Sequence, residues 1–362
     1  MTAYLDPATI DVIAPNFKRR LSGVTATVVR LVPLQAKSMA VAAVAPALPG
    51  HVPQIRCTAL LTMSQRGSHG ARVWHARRNS EMLAGLILKH LFRKRLKLLF
   101  TSASQRVHTG YSKWLIRQMD KVIATSQKTA SYLERPATVI RHGIDTEKFH
   151  PPADRAVAKA KLRLPSGPLV GCFGRIREQK GTDVFIEAML KILATRSDAG
   201  AIVMGRATGK HQRFARELKA KVAAHGLADR ILFPPEVPVD QMASWYQALD
   251  LFIAPQRWEG FGLTPLEAMA CGVPVIATTV GAFAELVVPG KTGTLIPPGN
   301  AVAMAEAAAQ LLDDPTERMR QSQAARDHVQ AHFRLEAEAD SIMDVYRQLL
   351  PSMASAGKRT GT

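Results

Sequence analysis

Two glutamates eight positions apart, Glu259 and Glu267, frame the segment Glu259-Gly260-Phe261-Gly262-Leu263-Thr264-Pro265-Leu266-Glu267. The first stands in a glycine-containing loop after an apolar run and the second at the start of a helix, so the two carboxylates meet different partners. A loop carboxylate can reach a sugar ring. Backbone N–H groups around Gly260, Phe261, Gly262, Leu263 and Thr264 can meet phosphate oxygens, and a helix-borne carboxylate can accept hydrogen bonds from ribose hydroxyls. Upstream, Gly171-Cys172-Phe173-Gly174-Arg175-Ile176-Arg177-Glu178-Gln179-Lys180-Gly181 runs from an apolar strand through glycines towards a helix. Such a turn presents N–H groups and the positive end of a helix dipole, and Arg175 and Lys180 add fixed positive charge: the outline of a diphosphate clamp. By residue type alone, the glutamates serve equally well as solvated acids flanking a turn, and the basic glycine segment as a surface loop.

Positioning those groups requires a regular frame. Strand-like runs at 169–173, 201–204, 231–233, 251–254, 275–277 and 293–296 alternate with helical periodicity, as at 183–193 and 212–225. That succession predicts a parallel sheet wrapped by helices, with ligand loops at the carboxyl ends of the strands. The N-terminal half follows the same plan. A strand at 10–14 leads into a basic loop ending at Gly23 and an apolar run to Val32; a strand at 72–75 precedes a helical pattern over 80–97, and further strands fall at 98–101, 122–126 and 138–140. In the 80–97 segment Met82, Leu83, Leu86, Ile87 and Phe92 read as a buried stripe, with a cationic end suited to anionic lipid headgroups. Arg141-His142-Gly143-Ile144-Asp145 and Pro151-Pro152 mark the passage between domains.

The paired glutamates, the following Ala268-Met269-Ala270-Cys271-Gly272-Val273-Pro274-Val275-Ile276-Ala277, and Gly174-Arg175 with Lys180-Gly181 resemble the pattern of glycosyltransferase family 4 on the GT-B fold. The resemblance covers most of residues 135–350. It implies an α/β architecture of two facing Rossmann-like domains: an acceptor domain at 1–150, a nucleotide-sugar domain at 151–340, a helix at 341–352 crossing back to the first, and a flexible tail at 353–362. It also implies a retaining, metal-independent hexosyltransferase needing no cofactor. In it Glu259 faces the transferred sugar, Glu267 binds ribose, Arg175 and Lys180 bind the diphosphate, and the loop from Phe233 to Val237 meets the base. On the acceptor side, Gly23 with Arg20 matches the family's loop beneath the diphosphate, although Ser22-Gly23 stands where two glycines are common. His75 and His108 are both candidates for the family's histidine, and structural roles suit either equally.

Charge narrows the partner. The chain carries +19, and residues 1–150 hold 23 Lys and Arg against 7 Asp and Glu, a net +16. That half attracts nucleic acid, an acidic membrane surface or an acidic substrate. Aromatic content of 6% without interleaved cations and aromatics argues against nucleic acid. No run approaches the roughly 20 apolar residues of a bilayer span, and the N-terminus has no basic start before an apolar stretch, so a cytoplasmic protein is expected. A lipid-linked acidic acceptor would account for the basic half and make the protein peripheral to the inner membrane. Three unpaired, distant cysteines suggest neither a disulfide framework nor a zinc site. The layout and the Arg77-Arg78-Asn79-Ser80-Glu81-Met82 segment resemble bacterial lipopolysaccharide core mannosyltransferases. This implies GDP-mannose as donor and the 3-deoxy-octulosonic acid (Kdo) region of a lipid-linked glycan as acceptor, with Arg77 and Arg78 on the acceptor side; a UDP-sugar and another acceptor are the alternative.

Overall fold

Short runs of Val, Ile, Leu and Ala suit strands covered on both faces, which is how parallel sheets are buried. The computed structural model describes residues 4–18 and 23–350. It divides into two units, Met1–Gly143 with Leu335–Thr362, and Ile144–Arg334.

In the first unit seven strands form one parallel sheet: β1 (Val12–Pro15), β2 (Val41–Val44), β3 (Gln54–Ile55), β4 (Arg72–Ala76), β5 (Leu96–Ser102), β6 (Lys121–Ala124) and β7 (Thr138–Val139), ordered β3-β2-β1-β4-β5-β6-β7. Ile13 lies opposite Ala42 on one side and Trp74 on the other. The Gly23–Gln35 and Leu335–Leu349 helices close one face through Leu31, Val32, Ile342 and Tyr346. The Asn79–His90 and Gly110–Arg117 helices close the other through Met82, Leu86, Leu115 and Ile116. Strand order reverses between β1 and β4, so the loops after these two strands diverge and open a crevice.

The second unit repeats the design with β8 (Leu169–Phe173), β9 (Gly200–Met204), β10 (Ile231–Leu232), β11 (Leu251–Ala254), β12 (Val275–Thr278) and β13 (Gly293–Ile296), parallel in the order β10-β9-β8-β11-β12-β13. Here the reversal falls between β8 and β11. Residues 301–349 form three helices, Ala301–Asp313, Pro315–His332 and Leu335–Leu349, and the first two have capped starts. The Asn300 side chain accepts from the Ala303 amide at 2.9 Å, and Asp314 accepts from Glu317 at 2.9 Å just before Pro315 opens the next helix.

Three local expectations change. The helix expected over 80–97 stops at His90, because Arg93 takes a left-handed φ of 52° and Leu96 already begins β5, pairing with β4. Its buried stripe keeps Met82 and Leu86 but loses Leu83, Ile87 and Phe92, which are exposed. The contact row instead runs through Glu81, Met82, Gly85 and Leu86. Gly85 lies against Trp74, whose ring atom Cδ1 would be 2.6 Å from an added Cβ. Finally, the units divide at 143/144 and 334/335 rather than 150/151 and 340/341. Ile144 and Phe149 are core residues of the second unit, and the last helix begins at Leu335 and buries its whole apolar face in the first. The 353–362 tail lies outside the described residues.

Candidate active site

The reversal in the second unit collects the predicted donor groups. β8 ends at Phe173, followed by Gly174, the exposed Arg175 and a single 3-10 turn, Glu178–Lys180. Gly181 has φ +69°, and a Cβ there would lie 1.9 Å from the Pro255 carbonyl oxygen, so glycine alone lets this turn lie against the loop after β11. Arg257 then joins the two loops. Its guanidinium donates twice to the Asp183 carboxylate at 2.7 Å and once to the Glu178 carbonyl at 2.6 Å, and its amide donates to Gln179 at 3.0 Å. The fork-to-fork geometry fixes direction as well as distance. As a result the Lys180 ammonium sits directly on the Glu259 carboxylate, with both side chains largely buried. The other Glu259 oxygen accepts from the Gly260 amide at 3.0 Å. Gly262, at φ +86°, turns the loop over Phe283, where a Cβ would come within 2.2 Å of the ring. Arg175 makes no ion pair with any described residue.

Glu267 lies in the first turn of the Thr264–Ala270 helix and accepts a 2.8 Å hydrogen bond from the Tyr246 phenol. Tyr246 is fully buried, with ring centroids of Phe173, Phe252 and Phe149 at 4.9, 5.5 and 6.0 Å. Burial first, and the Glu267 charge second, push the phenol well above its ordinary range, so it remains a donor. Sequence reasoning missed Tyr246, because nothing in a 21-residue spacing signals such a contact. Phe233 and Val237 follow β10 half-buried, with the Lys219 ammonium 5.3 Å from the Phe233 ring centroid. Cys172 and Cys271 are core residues whose thiols burial pushes upward, Cys172 to about 12.

In the first unit, Arg77 and Arg78 follow β4 at its own strand reversal. Arg78 donates to Asn16 at 2.8 Å, to Glu81 at 2.6 Å and to Thr25 at 3.1 Å, tying the loop after β1 to two helix starts. The Arg77 amide donates to Glu81 at 2.8 Å, and its guanidinium folds back to the His75 carbonyl at 3.2 Å. Gly23 begins its helix with open space where a Cβ would stand; Arg20 lies outside the described residues. His75 is wholly buried, its Nδ1 2.7 Å from the Tyr346 hydroxyl and its Nε2 2.6 Å from Thr101 Oγ1. Burial, then Arg77, hold its pKa well below the usual 6.5, so it is a neutral strut. His108 lies apart, beside Lys113, Tyr132 and Glu134, its pKa lowered by burial and then by Arg106 and Lys113. Thus Arg78 reaches the crevice, while His75 stays inside and His108 stands elsewhere.

The chain as a whole has well-matched relatives. Residues 154–328 match the family model described as glycosyl transferases group 1. The chain is 53% identical to the lipopolysaccharide core biosynthesis mannosyltransferase LpsB of Rhizobium meliloti (strain 1021), over 96% of this chain and 99% of that protein. It is 50% identical to the lipopolysaccharide core biosynthesis mannosyltransferase LpcC of Rhizobium leguminosarum bv. viciae, over 94% and 97%. Among solved structures, Anabaena HepE in complex with UDP shares the fold with a TM-score of 0.82 at 20% identity, over 94% of this chain and all of that one. Two parallel sheets with the GT-B topology, and relatives that match it along nearly its whole length, make this chain a member of the group 1 glycosyl transferases.

Proposed function

We propose that this glycosyltransferase moves mannose from GDP-mannose to the Kdo region of a lipopolysaccharide inner core, without a metal ion and with retention of configuration, at the cytoplasmic face of the membrane. Mannose and the core acceptor rest on the names of the two rhizobial relatives; GDP and Kdo rest on the resemblance of the 77–82 segment and the donor motifs. The observation that carries the chemistry is the Lys180–Glu259 pair between the β8 and β11 loops, with Tyr246-held Glu267 on the helix that follows.

In this reading Glu267 accepts from the ribose hydroxyls, and the loop holding Phe233 and Val237 takes the base. Lys180, Arg175 and the N–H groups of Phe261, Gly262 and Leu263 receive the diphosphate. As the bond from the anomeric carbon to the diphosphate breaks, negative charge grows on the departing oxygen. Cations and dipoles already fixed there stabilise it without reorganising. Glu259 orients the sugar and keeps Lys180 aimed. The acceptor oxygen bonds to the anomeric carbon on the face the diphosphate leaves, and its proton passes to that diphosphate, so configuration is retained without a protein nucleophile. Arg78 and the basic first unit attract the acidic acceptor.

Calorimetric titration of GDP, UDP and ADP in the presence of a metal chelator tests this directly. GDP is expected to bind at least tenfold more tightly than the other two. UDP selectivity would replace the donor, and no binding of any nucleotide would overturn the site.

A further inference from the structure

The outer row of the Asn79–His90 helix carries Leu83 and Ile87 on successive turns, and Leu91 and Phe92 continue past its end. Leu91 is 74% exposed and Ile87 43%. The neighbouring Gly110–Arg117 helix is joined at its base by a 2.7 Å hydrogen bond from Asn79 to Ser112. It adds Tyr111 and Trp114, both about half exposed and stacked with centroids 6.3 Å apart. Apolar side chains exposed on two neighbouring helices that cover the same face of the sheet mark a contact surface. On either side of Leu91 and Phe92 the chain lines an open cleft of about 520 Å³ with Lys89, His90, Arg93, Arg95 and Lys97. Arg93, Arg95 and Lys97 make no ion pair with any described residue, and the left-handed turn at Arg93 brings the cations next to the apolar row.

Aliphatic side chains, a Tyr–Trp pair and an adjoining cationic cleft match the layers of an anionic bilayer surface: hydrocarbon, interface and phosphate. A soluble protein partner would not require all three. We infer that this face docks on an anionic lipid surface, with Leu83, Ile87, Leu91 and Phe92 entering the acyl boundary, Tyr111 and Trp114 at headgroup level, and the cleft cations on lipid phosphates. The inference deepens the reading of a lipid-linked acceptor and takes its biological meaning from it, but the surface is testable alone.

The test is co-sedimentation of the full chain with phosphatidylglycerol–phosphatidylethanolamine vesicles and with phosphatidylcholine vesicles, at low and high salt. Wild type sediments with the anionic vesicles and much less with the zwitterionic ones. Each surface cation contributes about fivefold to partition, so Arg93→Ala/Lys97→Ala lowers anionic binding about 25-fold at low salt and little at high salt, where the cations are screened. Ile87→Ser/Leu91→Ser lowers it at least tenfold at both. Both variants alter exposed positions and retain wild-type melting and GDP titration. Wild-type sedimentation by both variants, or wild type remaining in solution with every vesicle, overturns the inference. So does a serine variant that changes the mass in light scattering but not vesicle binding, which would make the face a contact between copies of this chain. GDP binding without sedimentation removes the docking surface alone; sedimentation through this face without nucleotide binding removes the transferase reading alone.

Discussion

Lys180 and Glu259 illustrate how one contact serves two accounts that differ in magnitude. A largely but incompletely buried pair of this kind contributes about 1 kcal/mol or less to stability, since solvent still screens it. In the proposed reaction, the same ammonium facing a departing diphosphate would contribute on the scale of a preorganised electrostatic donor, about 100-fold or more in rate. Lys180→Ala is therefore expected to lower kcat at least 100-fold with a melting temperature within a few degrees of wild type, and Glu259→Gln to do the same. Steady-state kinetics beside thermal melts check both. Loss of turnover only in proportion to loss of folded protein would make the pair structural. Cys172 and Cys271, by contrast, are core residues whose thiols burial keeps protonated.

At the scale of elements, the first unit is pinned where β4, β5 and the Leu335–Leu349 helix meet at His75. A buried imidazole held below its ordinary pKa binds fewer protons than the same group in the unfolded chain. Its contribution is therefore complete above about pH 6.5 and declines as pH falls below that value. The slope is about 1.4 kcal/mol per pH unit while the folded form stays unprotonated. Denaturant titrations from pH 7.5 to 5 are expected to show this decline in wild type and a shallower one in His75→Gln, which lacks the titrating ring. Equal slopes would show that another group sets the acid limit. The two strands the sequence reading did not name, β2 and β3, carry Val-Ala-Ala-Val and Gln-Ile, runs too short or too alanine-rich to announce themselves. The segment read as one helix over 80–97 is a helix, a left-handed turn and the start of a strand, a division set by pairing with β4 rather than by periodicity.

For the whole molecule, chain order and unit membership differ. Ile144–Arg334 is continuous, whereas the first unit draws its last helix from the end of the sequence. Leu335, Ala339, Ile342, Met343 and Tyr346 fill one face of the first sheet's core, so removing them uncovers Val28, Leu31 and Val32. Apolar burial at about 25 cal/mol per Å² makes the loss of five such side chains comparable to the whole stability margin of a typical domain. Residues 144–334 expressed alone are expected to unfold cooperatively with native near-ultraviolet circular dichroism. Residues 1–143 alone are expected to aggregate or lack that signal. A stable, cooperative 1–143 fragment would show that the final helix is dispensable.

The sequence alone determined what is local. Gly174 to Gly181 and Glu259 to Glu267 each lie within nine consecutive residues, and alternating strand and helix patterns place both at carboxyl ends of strands. The glycine-rich and paired-glutamate segments, the fold class and the basic N-terminal half were therefore legible in the sequence. Tertiary structure alone decided what depends on distant partners. Tyr246 was assigned to Glu267 across 21 residues, Arg257 to Asp183 across 74, and Tyr346 to His75 across 271. It also turned Leu83, Ile87 and Leu91 outward although their spacing is that of a buried stripe. Periodicity says which side chains share a helix face. Which of two apolar rows meets the core depends on the surface it packs against, here the Trp74 ring beside Gly85.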